Sequence, residues 1–253
     1  MARPFIAIAA ALVMASFAAD SANGQSTLTE RLLTDRLAII QSGSYQAGER
    51  VNFTLDHAGE NFLLRFDGEP EVFVLYAGHA SLGGRVLKYD SGETALQVTG
   101  WGGITLYTDN KPGGLPAMRI ADSVPPVLPD VSLDELRSAV TDETAHLSYT
   151  RRLNVAFTTD WNALAENAGL RALSFDALQN AARGIDSFAE TATGHRAIET
   201  RIDTVLLSAS GNPTLRLQGR QMTVTFDPSK GYAGRASSRA IAHALRRLFH
   251  VRS

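Results

Sequence analysis

The sequence predicts an α+β protein: an antiparallel β meander, formed as a small sandwich or a partial barrel, followed by a helix-containing α+β part that ends in a basic amphipathic helix. Short alternating or apolar runs recur between residues 51 and 108, and Gly-rich and Asp-Gly turns separate them. Several prolines follow at 125–129, where they would interrupt a helix or a central strand. Beyond them, apolar residues at helical spacing alternate with further strand candidates.

Residues 1–24 are typical of a secretory signal peptide. Arg3 gives a short basic start, an apolar run covers residues 5–19, and Ala22 and Gly24 are small enough for a signal peptidase site. The run has 15 residues, fewer than the roughly 20 that a membrane-spanning helix needs. We therefore expect an exported, soluble protein, periplasmic or secreted and not transmembrane, that begins at Gln25.

Residues 25–121 are predicted to form a first subdomain. A helix at 28–40 has apolar residues along one face, which we expect to dock on the sheet. Six strands are predicted at 51–55, 61–66, 71–76, 85–89, 95–99 and 104–108. The segment from Asn110 to Gly114 contains one proline and two glycines, so it is predicted to end the meander.

A Pro-rich linker at 122–131 is predicted to lead into an α+β subdomain at 132–253. Ser132 and Glu135 have the spacing of a capping box, which predicts a helix start. A second helix is predicted at 175–192, with Ser174 as its N-cap and Gly194 just past its end. Four further strands are predicted at 153–157, 204–208, 214–217 and 222–226.

The last predicted element is a helix at 237–250 with apolar residues on one side and basic residues on the other. Arg239, Arg246 and Arg247 belong to the basic side. Two interpretations remain open. The basic side is simply solvated, or it contacts an anionic envelope component such as lipid phosphate. No nucleic-acid role is expected, because the chain is predicted to be exported and lacks basic residues interleaved with stacking aromatics.

Sequence motifs of catalysis are largely missing. The chain has no cysteine, which excludes disulfides and thiolate chemistry. It has no His-Glu-x-x-His, no Ser-x-x-Lys and no phosphate-binding loop, and no metal site or cofactor is predicted. The candidates that remain are polar residues in the turns of the meander, which would form a site only if they converged at one end: His57, Asp67, His79, Asp90, Glu93 and Asp109.

Three of the meander residues are singled out. His79 follows a glycine and precedes small residues, so its ring is expected to be accessible. It is the weak catalytic candidate, together with Asp109. Trp101 lies in a Gly-rich turn, where it would either close the rim of the sheet or stack on a sugar or a peptide.

Several segments resemble a family of uncharacterised exported bacterial proteins, defined as a domain of unknown function. They read FLLRFDGEPEV at 62–72, GGITLYT at 102–108 and KPGG at 111–114. The resemblance implies a periplasmic or envelope setting and a β-rich first half. It implies no activity for any residue.

Two classes of function follow from these observations. The first is a non-catalytic binding or scaffold protein, because the predicted sheet and helices offer surfaces but no assembled catalytic set. The alternative is a periplasmic hydrolase that acts on a cell-wall or polysaccharide component, with His79 and loop acids in the chemistry. The two differ in one observable feature, which is whether His79, Trp101 and Asp109 share a cleft.

Overall fold

The computed structural model of the protein describes residues 40–80 and 84–251. The predicted signal peptide at 1–24 lies outside the described residues, as does the predicted helix at 28–40 apart from its last residue. From residue 41 onward the chain forms one compact unit. Within it, the described residues form a β-barrel and a second layer of helices on a small sheet.

Eight strands of the described chain form a closed antiparallel barrel. Each strand pairs with its neighbours in sequence, and the last strand returns to pair with the first. The strands are β1 (Gly43–Ala47), β2 (Val51–Ala58), β3 (Asn61–Phe66), β4 (Phe73–His79), β5 (Arg85–Tyr89), β6 (Thr94–Val98), β7 (Ile104–Thr108) and β8 (Lys111–Ala121).

The predicted α+β class and antiparallel meander are confirmed, and the six predicted strands correspond to β2–β7. The barrel is nevertheless closed, neither a sandwich nor a partial barrel. The prediction that residues 110–114 end the meander is wrong, because residues 111–114 are the first four residues of β8. Prolines are tolerated there since residues 111–116 pair only with β7, whereas residues 117–121 pair with β1.

The barrel has a filled interior and two distinct ends. Alternate residues of each strand point inward, and an eight-stranded barrel is just wide enough for side chains to fill it. The β1–β2, β3–β4, β5–β6 and β7–β8 turns meet at one end, which we call the mouth. The β2–β3, β4–β5 and β6–β7 turns meet at the opposite end.

The second layer contains five helices and a four-stranded sheet within the described residues. The sheet has the order β11-β12-β10-β9, with β10 parallel to both its neighbours and β11 antiparallel to β12. The elements are α1 (Leu133–Arg151), β9 (Ala156–Thr159), α2 (Trp161–Ala165), α3 (Ala168–Phe188), α4 (Ala192–Arg201), β10 (Thr204–Ser208), β11 (Thr214–Gln218), β12 (Gln221–Thr225), a 3₁₀ segment (Pro228–Gly234) and α5 (Ser238–Leu248).

The sequence predicts the start of the first helix of this layer correctly and the bounds of the long helix at its centre incorrectly. The capping box of Ser132 and Glu135 is confirmed at the start of α1. The predicted N-cap Ser174 is wrong, because α3 begins earlier, at the cap Asn167, and Ser174 is buried inside it. Gly194 lies within α4 and not beyond a helix end. The helical path is interrupted between α3 and α4, and Thr191 is the N-cap of α4.

Helix α5 lies against α3 and begins at the N-cap Ser237. A Cβ atom on Gly184 of α3 would come within 2.7 Å of Ile241 of α5. Only glycine therefore allows the two helices to approach this closely. Ile241 and Leu245 of α5 are buried in the core of the second layer.

The barrel and the second layer are in direct contact. Leu63, Val72 and Val74 on the outer face of the barrel form a small apolar cluster, on which Tyr232 and Ala233 of the 3₁₀ segment pack. The arrangement places the first residues of α5 beside the barrel mouth, which positions the site described next.

Candidate functional site

The barrel mouth contains a cavity of about 720 Å³. Its apolar lining comes from inward-pointing residues of six strands: Ala47, Val51, Phe66, Phe73, Tyr89 and Leu115. Its rim is charged: Glu49, Arg50, Glu69, Asp109, Lys111 and Arg239. A concave apolar pocket with a few polar groups at its edge is the usual form of a small-molecule site.

Three aromatic rings form the floor of this cavity. The strand registers place Phe66, Phe73 and Tyr89 on the inner face, opposite Phe53, Leu64 and Leu75. The rings contact one another edge to face, with centroids 6.3 Å apart for Phe66 and Phe73 and 5.3 Å apart for Phe73 and Tyr89. This geometry is favourable for aromatic pairs, so the floor is a firm apolar surface.

Arg239 of helix α5 covers one side of the mouth. Its guanidinium carbon lies 4.6 Å from the centre of the Tyr89 ring, which is a cation–π contact. It donates hydrogen bonds of 2.5 and 2.9 Å to Asp109 and of 3.0 and 3.2 Å to Glu93. The second layer thus contributes one residue to the wall of a barrel cavity.

The contact with Arg239 and the burial of Tyr89 determine which groups of the mouth are charged. Hydrogen bonds from Arg239 lower the pKa of Asp109, while burial raises the pKa of the Tyr89 phenol. Burial opposes the charge on Arg239, but its hydrogen bonds with Asp109 and its electrostatic interactions with Tyr89, Asp109 and Glu93 together outweigh that effect and raise its pKa. At neutral pH the mouth therefore presents a neutral phenol and an ion-paired carboxylate. A neutral phenol and an ion-paired carboxylate can form hydrogen bonds with a ligand, but neither is activated as a nucleophile or a general base.

The fold separates the two weak catalytic candidates. Asp109 lies in the β7–β8 turn at the mouth, whereas His79 ends β4 at the opposite end of the barrel. The Nδ1 atom of His79 lies 2.9 Å from Nη1 of the buried Arg85. The hydrolase alternative depends on His79 acting together with loop acids, and the structure does not bring His79 and Asp109 together.

Trp101 lies in the β6–β7 turn, also at the end opposite the mouth. Its side chain is 85% exposed. It does not close the rim of the sheet over the core, and it lines neither the mouth cavity nor the groove that contains His79. His79, Trp101 and Asp109 therefore share no cleft in the described part of the chain.

The six polar turn residues divide by type between the two ends of the barrel. Asp67, Asp90, Glu93 and Asp109 belong to the turns of the mouth. His57 and His79 lie at the opposite end, where the His57 ring contacts Phe62. The four carboxylates thus lie at one end of the barrel and the two histidines at the other, although His79 and Asp90 both line one groove on its side.

The three basic candidates of the last helix have different environments. We expected Arg239 to face solvent, but it is three-quarters buried against the barrel. Arg246 is partly exposed and contributes to the low pKa of Asp109, and Arg247 is exposed. Only Arg246 and Arg247 remain available to meet an anionic surface.

Sequence reasoning missed the aromatic floor and the partner of Asp109. Phe73 and Tyr89 were placed in predicted strands, and the alternation of each strand gives the face on which they lie. The curvature that turns this face into the wall of a cavity depends on β8, which was not predicted. The contact from Arg239 to Asp109 joins residues 130 positions apart, which no local pattern reveals.

The described residues contain no group of three or more histidine, cysteine, aspartate or glutamate side chains placed to hold a metal ion. None of the helices in the described ranges has both the length and the apolar character that crossing a membrane requires.

The fold and site define a cysteine-free β-barrel protein with a second α/β layer and an apolar cavity at the barrel mouth. The chain belongs to the family described as the domain of unknown function DUF4908, whose model matches residues 16–245. The resemblance to a domain of unknown function is thereby confirmed. Searches of curated proteins and of solved structures returned no significant match.

Proposed function

We propose that this protein is an exported, non-catalytic binding protein whose barrel mouth holds a small amphiphilic molecule. The observation that carries the proposal is the cavity of about 720 Å³ with its floor of three aromatic rings. Its volume is within the range of about 300 to 1,000 Å³ that small-molecule pockets occupy.

The chemistry of the cavity supports an amphiphile over a purely polar ligand. Phe66, Phe73 and Leu115 line the cavity, so the apolar part of a ligand would contact apolar side chains there. The rim carries three acidic and three basic side chains, so it has no net charge. A neutral or zwitterionic head group therefore suits the rim better than a strongly charged one.

The proposed location is the periplasm or the cell envelope, and it depends on the signal-peptide pattern of residues 1–24. Mass spectrometry of the exported protein is expected to find an N-terminus at Gln25. A mature form that retains Met1 would contradict this part of the proposal.

The binding function is tested with the fluorescent apolar reporter N-phenyl-1-naphthylamine. We expect its emission to rise when it is titrated into the wild-type protein, and phospholipid monomers with a zwitterionic head to displace it. Leu115→Trp fills the cavity from its wall and is expected to abolish the rise. Met118→Trp, on the same strand but 65% exposed, is the matched control and should leave binding unchanged.

Two results would contradict the binding function. One is a wild-type protein that gives no emission rise while its circular dichroism is that of a folded chain. The other is equal loss of binding in Leu115→Trp and Met118→Trp, since the reporter would then not occupy the mouth.

A further inference from the structure

We propose a second binding site, for a short acidic saccharide, in a groove between the outer wall of the barrel and the second layer. The groove has a volume of about 750 Å³. It shares Tyr89 with the mouth cavity but opens on the outside of the barrel, because its wall includes outward-pointing residues of β3, β4 and β5.

The barrel wall of the groove presents an amide, an aromatic ring and an ammonium group in one row. Asn61 is directly opposite Tyr76 in the register of β3 and β4, and Tyr76 is directly opposite Lys88 in the register of β4 and β5. Tyr76 is 41% exposed, so its ring is available to a ligand. The next outward residue on β4 is Gly78, against which the side chain of Val86 packs.

The second layer contributes the facing wall. Asn212 and Pro213 come from the loop between β10 and β11, and Lys230 comes from the 3₁₀ segment. The Nζ atom of Lys230 lies 3.0 Å from Oδ1 of Asn212 and 3.2 Å from the carboxylate of Asp227. The two walls thus place an asparagine and a lysine on each side of the groove.

The charges in the groove favour an acidic ligand. Lys88 forms no ion pair with the described residues. Both carboxylate oxygens of Asp90 are already bound, at 2.5 and 2.7 Å, by the hydroxyl and backbone N–H of Ser237. Asp90 therefore points its negative charge at the start of helix α5, where the helix dipole offsets it.

A buried guanidinium with one unpaired donor atom lies beside the groove. Arg235 lines the groove and is only 3% exposed. It binds Asp176 and the carbonyl oxygen of Val72 through Nε and Nη2, while its Nη1 has no acceptor among the described residues. An anionic group in the groove would interact favourably with this incompletely satisfied donor group.

These features together fit a saccharide acid. The C–H face of a sugar ring packs on an exposed aromatic ring, while asparagine side chains both donate to and accept from hydroxyl groups. Lysine ammonium groups form charge-assisted hydrogen bonds with a carboxylate. A nucleotide also needs an aromatic surface and cations, but of the two aromatic residues that line the groove, Tyr89 points into the barrel, so a base would stack on Tyr76 alone.

The proposal is tested by isothermal titration of the full chain with trigalacturonate, and with uncharged maltotriose as comparison. We expect wild-type protein to bind trigalacturonate and not maltotriose. Lys88→Gln is expected to weaken binding about tenfold, since it removes a charge-assisted hydrogen bond. Tyr76→Ala is expected to abolish binding, and Tyr76→Phe to retain it.

Two control variants separate this site from the mouth. Lys111→Gln, at the mouth rim, and Leu115→Trp, in the mouth wall, should bind trigalacturonate as the wild type does. The saccharide site is overturned if folded wild-type protein does not bind trigalacturonate, or if Lys88→Gln and Tyr76→Ala bind it unchanged. It is also overturned if adenosine monophosphate displaces trigalacturonate at a lower concentration than digalacturonate does.

Discussion

The barrel and the second layer are built from contacts of different range. In the barrel every strand pairs with the next along the chain, and only the pairing of β1 with β8 is long. In the second layer the parallel partners β9 and β10 are separated by three helices. Local hairpins follow from alternation and turns, whereas parallel pairs require a crossover that must find its partner at a distance. The two regions therefore differ in how far the sequence alone predicts them.

The two regions are joined by hydrogen bonds between barrel carboxylates and the start of helix α5. The barrel supplies carboxylates, and the second layer supplies a helix start that needs acceptors. Asp90 binds Ser237, Glu71 accepts hydrogen bonds of 2.8 and 2.6 Å from the backbone N–H and hydroxyl of Ser238, and Glu93 binds Arg239. Three consecutive residues of one region are thus held by acids of the other. We expect the two regions to unfold together.

The largest effect is expected from a charge in the core of the second layer. Leu245 is fully buried, and Leu245→Asp should lower the free energy of unfolding by about 4 kcal/mol or more, because it removes apolar contacts and buries an unpaired carboxylate. Leu248→Asp, on the same helix but 40% exposed, is the matched control and should cost far less. Chemical denaturation measures both, and equal losses would show that α5 is not packed as described.

Joint unfolding is tested with one tryptophan reporter in each region. Tyr107→Trp, at a partly buried position of β7, reports on the barrel in a Trp101→Phe, Trp161→Phe background, and Trp161 reports on the second layer in a Trp101→Phe background. If the carboxylates join the regions firmly, the two fluorescence transitions should have coincident midpoints in denaturant. Transitions that separate clearly would show that each region is stable without the other.

A smaller effect is expected from removing one of the joining carboxylates. Glu71→Ala leaves the N–H and hydroxyl of Ser238 without their acceptors, which should cost about 1 to 3 kcal/mol and begin to separate the two tryptophan transitions. Burial raises the pKa of Glu71, and its hydrogen bonds with Ser238 oppose that shift. Glu69→Ala, nearby at the exposed rim of the mouth, should change the midpoints little. The reverse order of these two variants would contradict the role assigned to Glu71.

The physical range of each contact explains which features the sequence predicts. Strand β10 is predicted at its observed bounds, because its apolar run lies between clear turn signals. Strand β8 is missed because Pro112 and Gly114 are read locally as a turn, whereas they begin a strand that pairs with β7 and then closes the barrel on β1. Ser237 is recognised as the start of a helix, but its partner Asp90 is 147 residues away. Local patterns therefore identify most strands and turns that supply the mouth residues, but they do not show which distant residues come into contact there.

The smallest effect is expected at the exposed end of the contact, between Arg239 and Asp109. The Asp109 side chain is 74% exposed, so solvent screens the pair, and Asp109→Asn should cost only about 0.5 to 1 kcal/mol at pH 7. The hydrogen bonds from Arg239 lower the pKa of Asp109 in the folded protein. Stability from the pair is therefore fully present above the ordinary aspartate pKa of about 3.9, and it is lost as the pH falls through the lowered folded value.

The difference between wild type and Asp109→Asn should accordingly shrink when the pH is lowered below about 4, and also when salt is added at pH 7. Asp67→Asn is the matched control, since Asp67 is exposed in another turn of the mouth and makes no ion pair with the described residues. Denaturant titrations at several pH values measure both variants. A difference that grows on acidification would mean that Asp109 does not act as the ionised partner of Arg239, and the second layer would then contribute no fixed charge to the barrel mouth.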